Sequence, residues 1–180
     1  MRKLVPFAYG FRPFFLLAGW YAVIAIGLWL WLYPAARGPF ASLPAQLWHG
    51  HEMLFGFVGA AIAGFMLTAV PSWTGSRGFA GVPLIALTIM WLAGRIVLFA
   101  GNAIPFWLLA LAELAFLPML ALLLAPPLLR AANRNTPLLF VLLVLWASDA
   151  VFVYALAQRD PGLADTSVRA ALNLILLLVT

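Results

Sequence analysis

The sequence contains no cysteine. Disulfides, thiolate metal sites and covalently attached haem are therefore excluded within these 180 residues. Charge is nearly as scarce: 8% of residues are Asp, Glu, Lys or Arg, against about 25% in a soluble domain. Only two residues are histidine and five are acidic. The alternating pattern of a transmembrane β-barrel, in segments of about ten residues, is missing. So is a basic stripe. The ten Lys and Arg are scattered over loops, and the net charge of +5 makes no case for nucleic acid. The N-terminus lacks a cleavable signal pattern, because its first apolar run is too long and carries no small-residue cleavage site.

Apolar residues fill the space that charge leaves, at 66% of the chain with a mean hydropathy of +1.08. Runs of about 20 apolar residues recur along the whole length, the size needed to cross a bilayer. Backbone groups in lipid must be satisfied within their own segment, so helices are expected. The fold class is all-α, a polytopic transmembrane bundle with the lipid bilayer as its surroundings. Six spans are expected, over 14–33, 44–70, 83–101, 105–126, 137–157 and 167–180. Proline sets most of these limits. Pro13 opens the first span, which ends before Pro34. Pro71 stops the second, Pro83 and Pro105 open the third and fourth, and Thr136-Pro137 opens the fifth. Pro126-Pro127 ends the fourth, which has a kink expected at Pro118. Asp165 or Thr166 caps the sixth. The last run is shorter than the roughly 20 residues of a span. The expectation is a fragment of a longer protein with its sixth span incomplete.

Short-loop cations set orientation. Arg2, Lys3, Arg12, Arg77, Arg130 and Arg134 fall on one side, against Arg37 and Arg159 on the other. That bias puts the N-terminus in the cytoplasm.

The stretch Trp48-His49-Gly50-His51-Glu52-Met53-Leu54-Phe55-Gly56-Phe57 holds both histidines. Ionisable groups in lipid are costly and usually face a bundle interior, a water-filled cavity or a cofactor. With a cytoplasmic N-terminus, His49, His51, Glu52, Arg95, Glu113, Asp149 and Asn173 all fall in the outer half of their spans. Chance would scatter them over both halves. Arg95 shares a helical stripe with Thr88, Trp91 and Asn102, so it is expected to face other helices. Its plain reading is a pair with Glu113 or Asp149 that holds the bundle together. Two carboxylates against one guanidinium leave one over, to be protonated, to find Asn173 or water, or to meet a group outside this sequence. The histidines, at i and i+2, lie about 200° apart on a helix. A single metal cannot easily take both. Two neighbouring sites, or one ligand and one supporting residue, fit better. Gly56, Ala60 and Gly64 form a small-residue stripe that admits another helix backbone or a flat macrocycle, packing being the default. Phe55, Phe57 and Phe65 are expected in the core or against lipid.

Several segments resemble the NnrS family. They are Gly10-Phe11-Arg12-Pro13-Phe14-Phe15-Leu16, the Trp48–Phe57 stretch, and Ala63-Gly64-Phe65. Thr68-Ala69-Val70-Pro71-Ser72-Trp73-Thr74-Gly75 and Trp91-Leu92-Ala93-Gly94-Arg95 continue the match, in the same order and spacing. The resemblance implies a bacterial inner-membrane protein tied to nitric oxide metabolism and stress, often accompanying denitrification. It implies haem and copper as cofactors and about twelve spans, of which this chain is the N-terminal half and the missing C-terminal half a partner. The haem would be haem b, since no cysteine is available. His49 and His51 become candidate ligands for haem or copper. Met53 is a softer copper candidate, and Arg95 a candidate partner for a haem propionate. Nitric oxide would be the small-molecule ligand. Glu113, Asp149 and Arg95 also suit a proton- or ion-coupled transporter without a redox centre. A structural subunit whose polar groups only knit helices is the third reading.

Overall fold

The computed structural model describes residues 7–34 and 38–179. Arg2, Lys3 and Arg37, on which the orientation partly rests, lie outside them, as does Thr180. Every regular element among the described residues is helical. Helix α1 is Phe11–Leu32. The second span is continuous: α2 Ala45–His51, a π-helical segment Glu52–Val58, and α3 Gly59–Thr74. Helix α4, Val82–Ala100, runs into a 3-10 turn at Gly101–Ala103. The next span is α5 Phe106–Leu114 and α6 Phe116–Arg130, followed by α7 Leu138–Gln158 and α8 Pro161–Val179.

Five of these stretches are long and apolar enough to cross a membrane: Phe11–Leu32, Ala45–Thr74, Val82–Ala103, Phe106–Arg130 and Leu138–Gln158. The chain is a multi-pass membrane protein. Helix α8 packs along α7 as a sixth member of the bundle.

Short connections make successive spans antiparallel. A first end gathers the turns after α1, α4 and α7, and a second end gathers the N-terminal segment and the turns after α3 and α6. At the second end the Gly81 N–H donates to the Phe7 carbonyl at 2.9 Å, and Asn133 Nδ2 donates to the Trp73 carbonyl at 3.1 Å. At the first end Gly101, at φ +56°, lies against the Pro39 carbonyl where no Cβ fits. The long second span is the bundle's centre, and its small-residue stripe packs α1. A Cβ on Gly64 would meet the Phe15 ring at 3.0 Å, and Ala60 is fully buried. Phe55 is buried, whereas Phe65 faces outward.

Several proline limits move. Pro71 does not stop the second span but lies inside α3, which runs on to Thr74. Its missing N–H frees the Leu67 carbonyl. There Gly10 packs directly, since a Cβ on it would stand 2.5 Å from Leu67 Cβ and 3.0 Å from that carbonyl oxygen. Gly75, left-handed at φ +63°, then ends the helix by returning its N–H to Pro71. Pro126 and Pro127 likewise sit inside α6, which ends at Arg130. Proline φ is already helical, so the cost falls only on the carbonyls four residues earlier. The kink expected at Pro118 is realised as the break at Ala115 between α5 and α6. The carbonyl that Pro118 frees is that of Leu114, and Trp146 Nε1 of α7 donates to it at 3.1 Å. Helix α8 starts at Pro161 rather than near Ser167. Asp160, not Asp165 or Thr166, is its cap: Oδ1 accepts the N–H groups of Gly162 and Leu163 at 2.9 and 3.0 Å.

Candidate functional site

Two apolar clusters divide the bundle. The one toward the second end includes Phe14, Leu54, Trp91, Phe116, Leu145 and Ala171. The one toward the first end includes Leu32, Trp48, Leu98, Leu109, Phe152 and Ala164. Between them, helix by helix, lies one polar layer. His51 and Glu52 fall between Trp48 and Leu54, Arg95 between Trp91 and Leu98, and Glu113 between Leu109 and Phe116. Asp149 falls between Leu145 and Phe152, and Ser167 between Ala164 and Ala171. Tyr21 of α1 completes the level. On the second span, α4, α5 and α7 the layer lies nearer the first end, in keeping with polar groups sharing one half of the spans.

The layer is closed to the outside. His51 and Glu52 are 0% exposed, Glu113 and Asp149 2%, and Arg95 8%. Its centre is a ring of four side chains. Arg95 Nη1 donates to Glu52 Oε2 at 2.9 Å, and Nη2 pairs with Glu113 Oε1. Glu113 Oε1 is 3.8 Å from His51 Nε2, and His51 Nδ1 is 3.5 Å from Glu52 Oε1. Two further groups attach: the Tyr21 hydroxyl donates to Glu52 Oε2, and Asp149 Oδ1 lies 2.9 Å from His51 Nε2. A charge buried without a partner would cost several kcal/mol or more. Here Glu52 and Glu113 share Arg95, and Asp149 has His51.

Local sequence explains the arrangement. The π segment begins at Glu52, and its wider winding buries both His51 and Glu52 together with Phe55 and Gly56. Gly56 leaves room for the Tyr21 ring and for the Arg95 stem, whose Cδ would stand 3.3 Å from a Cβ there. Trp91 Nε1 donates to the Gly56 carbonyl at 3.1 Å, and the Tyr21 ring meets Trp91 edge-on at 5.2 Å. The His51 ring lies between those of Phe55 and Phe152, at 4.7 and 4.1 Å between centroids.

The sequence-derived candidates therefore divide. Glu52, Arg95, Glu113 and Asp149 converge with His51. His49 does not join them: it turns to the first end, half-buried, and stacks on Trp29 at 4.6 Å with rings 20° apart. Its Nδ1 is buried without a hydrogen-bond partner among the described residues. Met53 is half-buried on the π segment. Asn173 is a correction. It is exposed on α8, because the buried face of that helix runs through Ala164, Ser167 and Ala171, and Asn173 lies two residues past the last of these. Asn102 is likewise exposed, in the 3-10 turn beyond the Thr88, Trp91 and Arg95 stripe. Tyr21 is the member that sequence reasoning missed. Its signal was a hydroxyl in mid-span, far from the aromatic residues at the end of α1. Ser167, which donates to the Ser148 carbonyl, gave no comparable signal.

The chemistry follows from these contacts. A flat macrocycle has no access to His51, whose ring faces are covered and whose Nε2 is taken by Asp149. Both terminal nitrogens of Arg95 are engaged by carboxylates, which leaves none for a propionate. His49 keeps a partly open ring. Copper finds no soft donor set in the layer, where one imidazole meets carboxylates. Nε2 of His51 and carboxylate oxygens of Glu113 and Asp149 lie within 4.8 Å of one another, the reach of a single metal ion.

The family model described as NnrS protein matches residues 5–180. No curated protein and no solved structure matches the chain.

Proposed function

This chain belongs to the NnrS family, and on that premise we propose that it forms part of a haem-binding bacterial inner-membrane protein of nitric oxide metabolism or defence against nitrosative stress. The bias of the loop cations supports a cytoplasmic N-terminus. One observation carries the reading: the two histidines, two residues apart, serve different surroundings. His51 is locked in the polar layer, while His49 presents a half-open ring at the first end with its buried Nδ1 unpartnered among the described residues. Neutral imidazole is a common axial ligand of haem iron. Bound at His49, haem b would supply an iron that binds nitric oxide.

The chain's own residues hold that site in place. Trp29 stacks on His49 and fixes the plane of its ring. Trp48, buried beside it in the chain, anchors α2 in the apolar cluster of the first end. The apolar surroundings admit a small gas that partitions through lipid. A second half-bundle would cover the open side of His49. Copper, implied by the same resemblance, does not fit the donors of the polar layer, and no step is derived through it.

The test is a Soret band in the full-length protein purified in detergent, with haem per chain measured in the wild type and in His49→Ala. Loss of haem in the variant is expected. Full haem content in His49→Ala, with unchanged nitric oxide tolerance of cells, would overturn the assignment. The layer's three carboxylates against one guanidinium favour a second reading, a proton- or ion-coupled transporter. That reading gains ground where the wild type shows no Soret band and instead drives solute uptake in vesicles under a pH gradient.

A further inference from the structure

We infer that His51, Glu113 and Asp149 form a site for a divalent cation of the iron, zinc or manganese kind, separate from any haem. Their candidate ligand atoms lie within 4.8 Å of one another, with His51 Nε2 2.9 Å from Asp149 Oδ1 and 3.8 Å from Glu113 Oε1. Ligand atoms about 2.0–2.2 Å from one zinc ion stand roughly 3–3.5 Å apart. Small side-chain adjustments would bring the three atoms to that spacing, with Glu113 Oε1 shared between the ion and Arg95. They come from three helices, the second span, α5 and α7, so the helix backbones already hold the ligands in place.

A second observation lies outside the triad. Glu52 Oε1 is fully buried and has no hydrogen-bond partner among the described residues, and it faces His51 Nδ1 at 3.5 Å. A metal-bound histidine commonly directs its other ring nitrogen at a carboxylate, which fixes the tautomer and orients the ring. With the proton on Nδ1, the Nε2 lone pair faces Asp149 Oδ1, and an ion seated between the two would take the place of that contact. Glu52 is itself held by Arg95 and Tyr21, so its position is set by two further helices.

Charge gives a third. Glu52, Glu113 and Asp149, when all three are ionised, bring three negative charges to the buried layer, and Arg95 brings one positive. The remainder equals the charge of one divalent cation. Such an ion, with neutral His51, makes the layer electrically neutral, which a low-dielectric interior strongly favours. The donor set also selects the class of ion. One imidazole and two carboxylates are harder ligands than the thioether or thiolate that suits cuprous copper. Glu113 Oε2, buried without a hydrogen-bond partner among the described residues, adds a further oxygen.

The test uses cobalt(II) alone as probe, added to the chelator-treated full chain in detergent. One cobalt per chain is expected in the wild type and in Asn173→Ala, which alters an exposed residue. Asp149→Asn is expected to weaken binding at least about tenfold. Asp149→Cys introduces a thiol into a chain that has none, so a sulfur-to-cobalt charge-transfer band reports direct ligation even where Asp149→Asn perturbs the fold. The site is refuted by wild-type protein that retains no cobalt, by Asp149→Asn that binds like the wild type, or by Asp149→Cys without the band. The Soret measurement at His49 is independent of each of these.

Discussion

A Cβ on Gly94 would stand 2.8 Å from Oε2 of Glu113. Helix α4 thus carries a glycine immediately before Arg95, at the place where the carboxylate that Arg95 binds must fit. Gly94→Val is expected to push Glu113 off Arg95 and to destabilise the bundle by about 1–3 kcal/mol, as overpacking does. Gly19→Ala is the control, since nothing lies within 4 Å of a Cβ there. Unfolding midpoints in mixed detergent check the pair, and equal midpoints would remove Gly94 from the site's construction.

Arg95 touches both Glu52 and Glu113. Arg95→Met should cost about 3–5 kcal/mol, because it strands buried charge rather than merely deleting a contact. Adding Glu52→Gln and Glu113→Gln to that variant should recover a large part of the loss. The same unfolding measurement decides. A triple variant no more stable than Arg95→Met would mean that the guanidinium acts through packing alone.

Trp146 offers a cleaner cycle. Its indole satisfies the Leu114 carbonyl that Pro118 leaves free. Trp146→Phe should destabilise by about 1–3 kcal/mol, the cost of a buried acceptor left unpaired. In a Pro118→Ala background the helix can bond that carbonyl itself, so the same substitution should cost less. A coupling energy near zero in the double-mutant cycle would sever the link between the two residues.

Topology is open to labelling because the chain has no native cysteine. Gly38→Cys at the first end and Ser76→Cys at the second should react with impermeant reagent from opposite sides of the membrane. With the N-terminus in the cytoplasm, position 76 is the one that intact cells protect. Reaction of both from one side would break the antiparallel order of α1 and the second span.

How far the sequence revealed this molecule varies with the kind of signal. Apolar runs between prolines marked the helices, because length and hydropathy are properties of a segment alone. Convergence of Arg95, Glu113 and Asp149 was legible for a similar reason: each is too costly against lipid, so only the interior remains. The stops at Pro71 and Pro126-Pro127 failed because neighbours decide whether a freed carbonyl is tolerated, as Gly10 does at Leu67. Asn173 failed because its face depends on where α8 begins, and Asp160 sets that start outside the apolar run. The π winding after His51 left no mark in residue type. Without it, the adjacency of His51 and Glu52 did not announce that both would turn inward.

The turn joining α4 to α5 runs only from Gly101 to Pro105, and its two helices carry the opposite charges of Arg95 and Glu113. Biogenesis feels this before any site exists. An arginine at a helix centre costs about 2.5–3.5 kcal/mol on leaving the translocon, so α4 alone is a reluctant entrant. As a hairpin, the two helices can neutralise each other before either meets hydrocarbon. Glycosylation-site mapping of insertion should then show α4 entering more efficiently with α5 attached, and losing that advantage with Glu113→Gln. The same ion pair that centres the finished layer would act first as a boarding condition, coupling two spans into one insertion step.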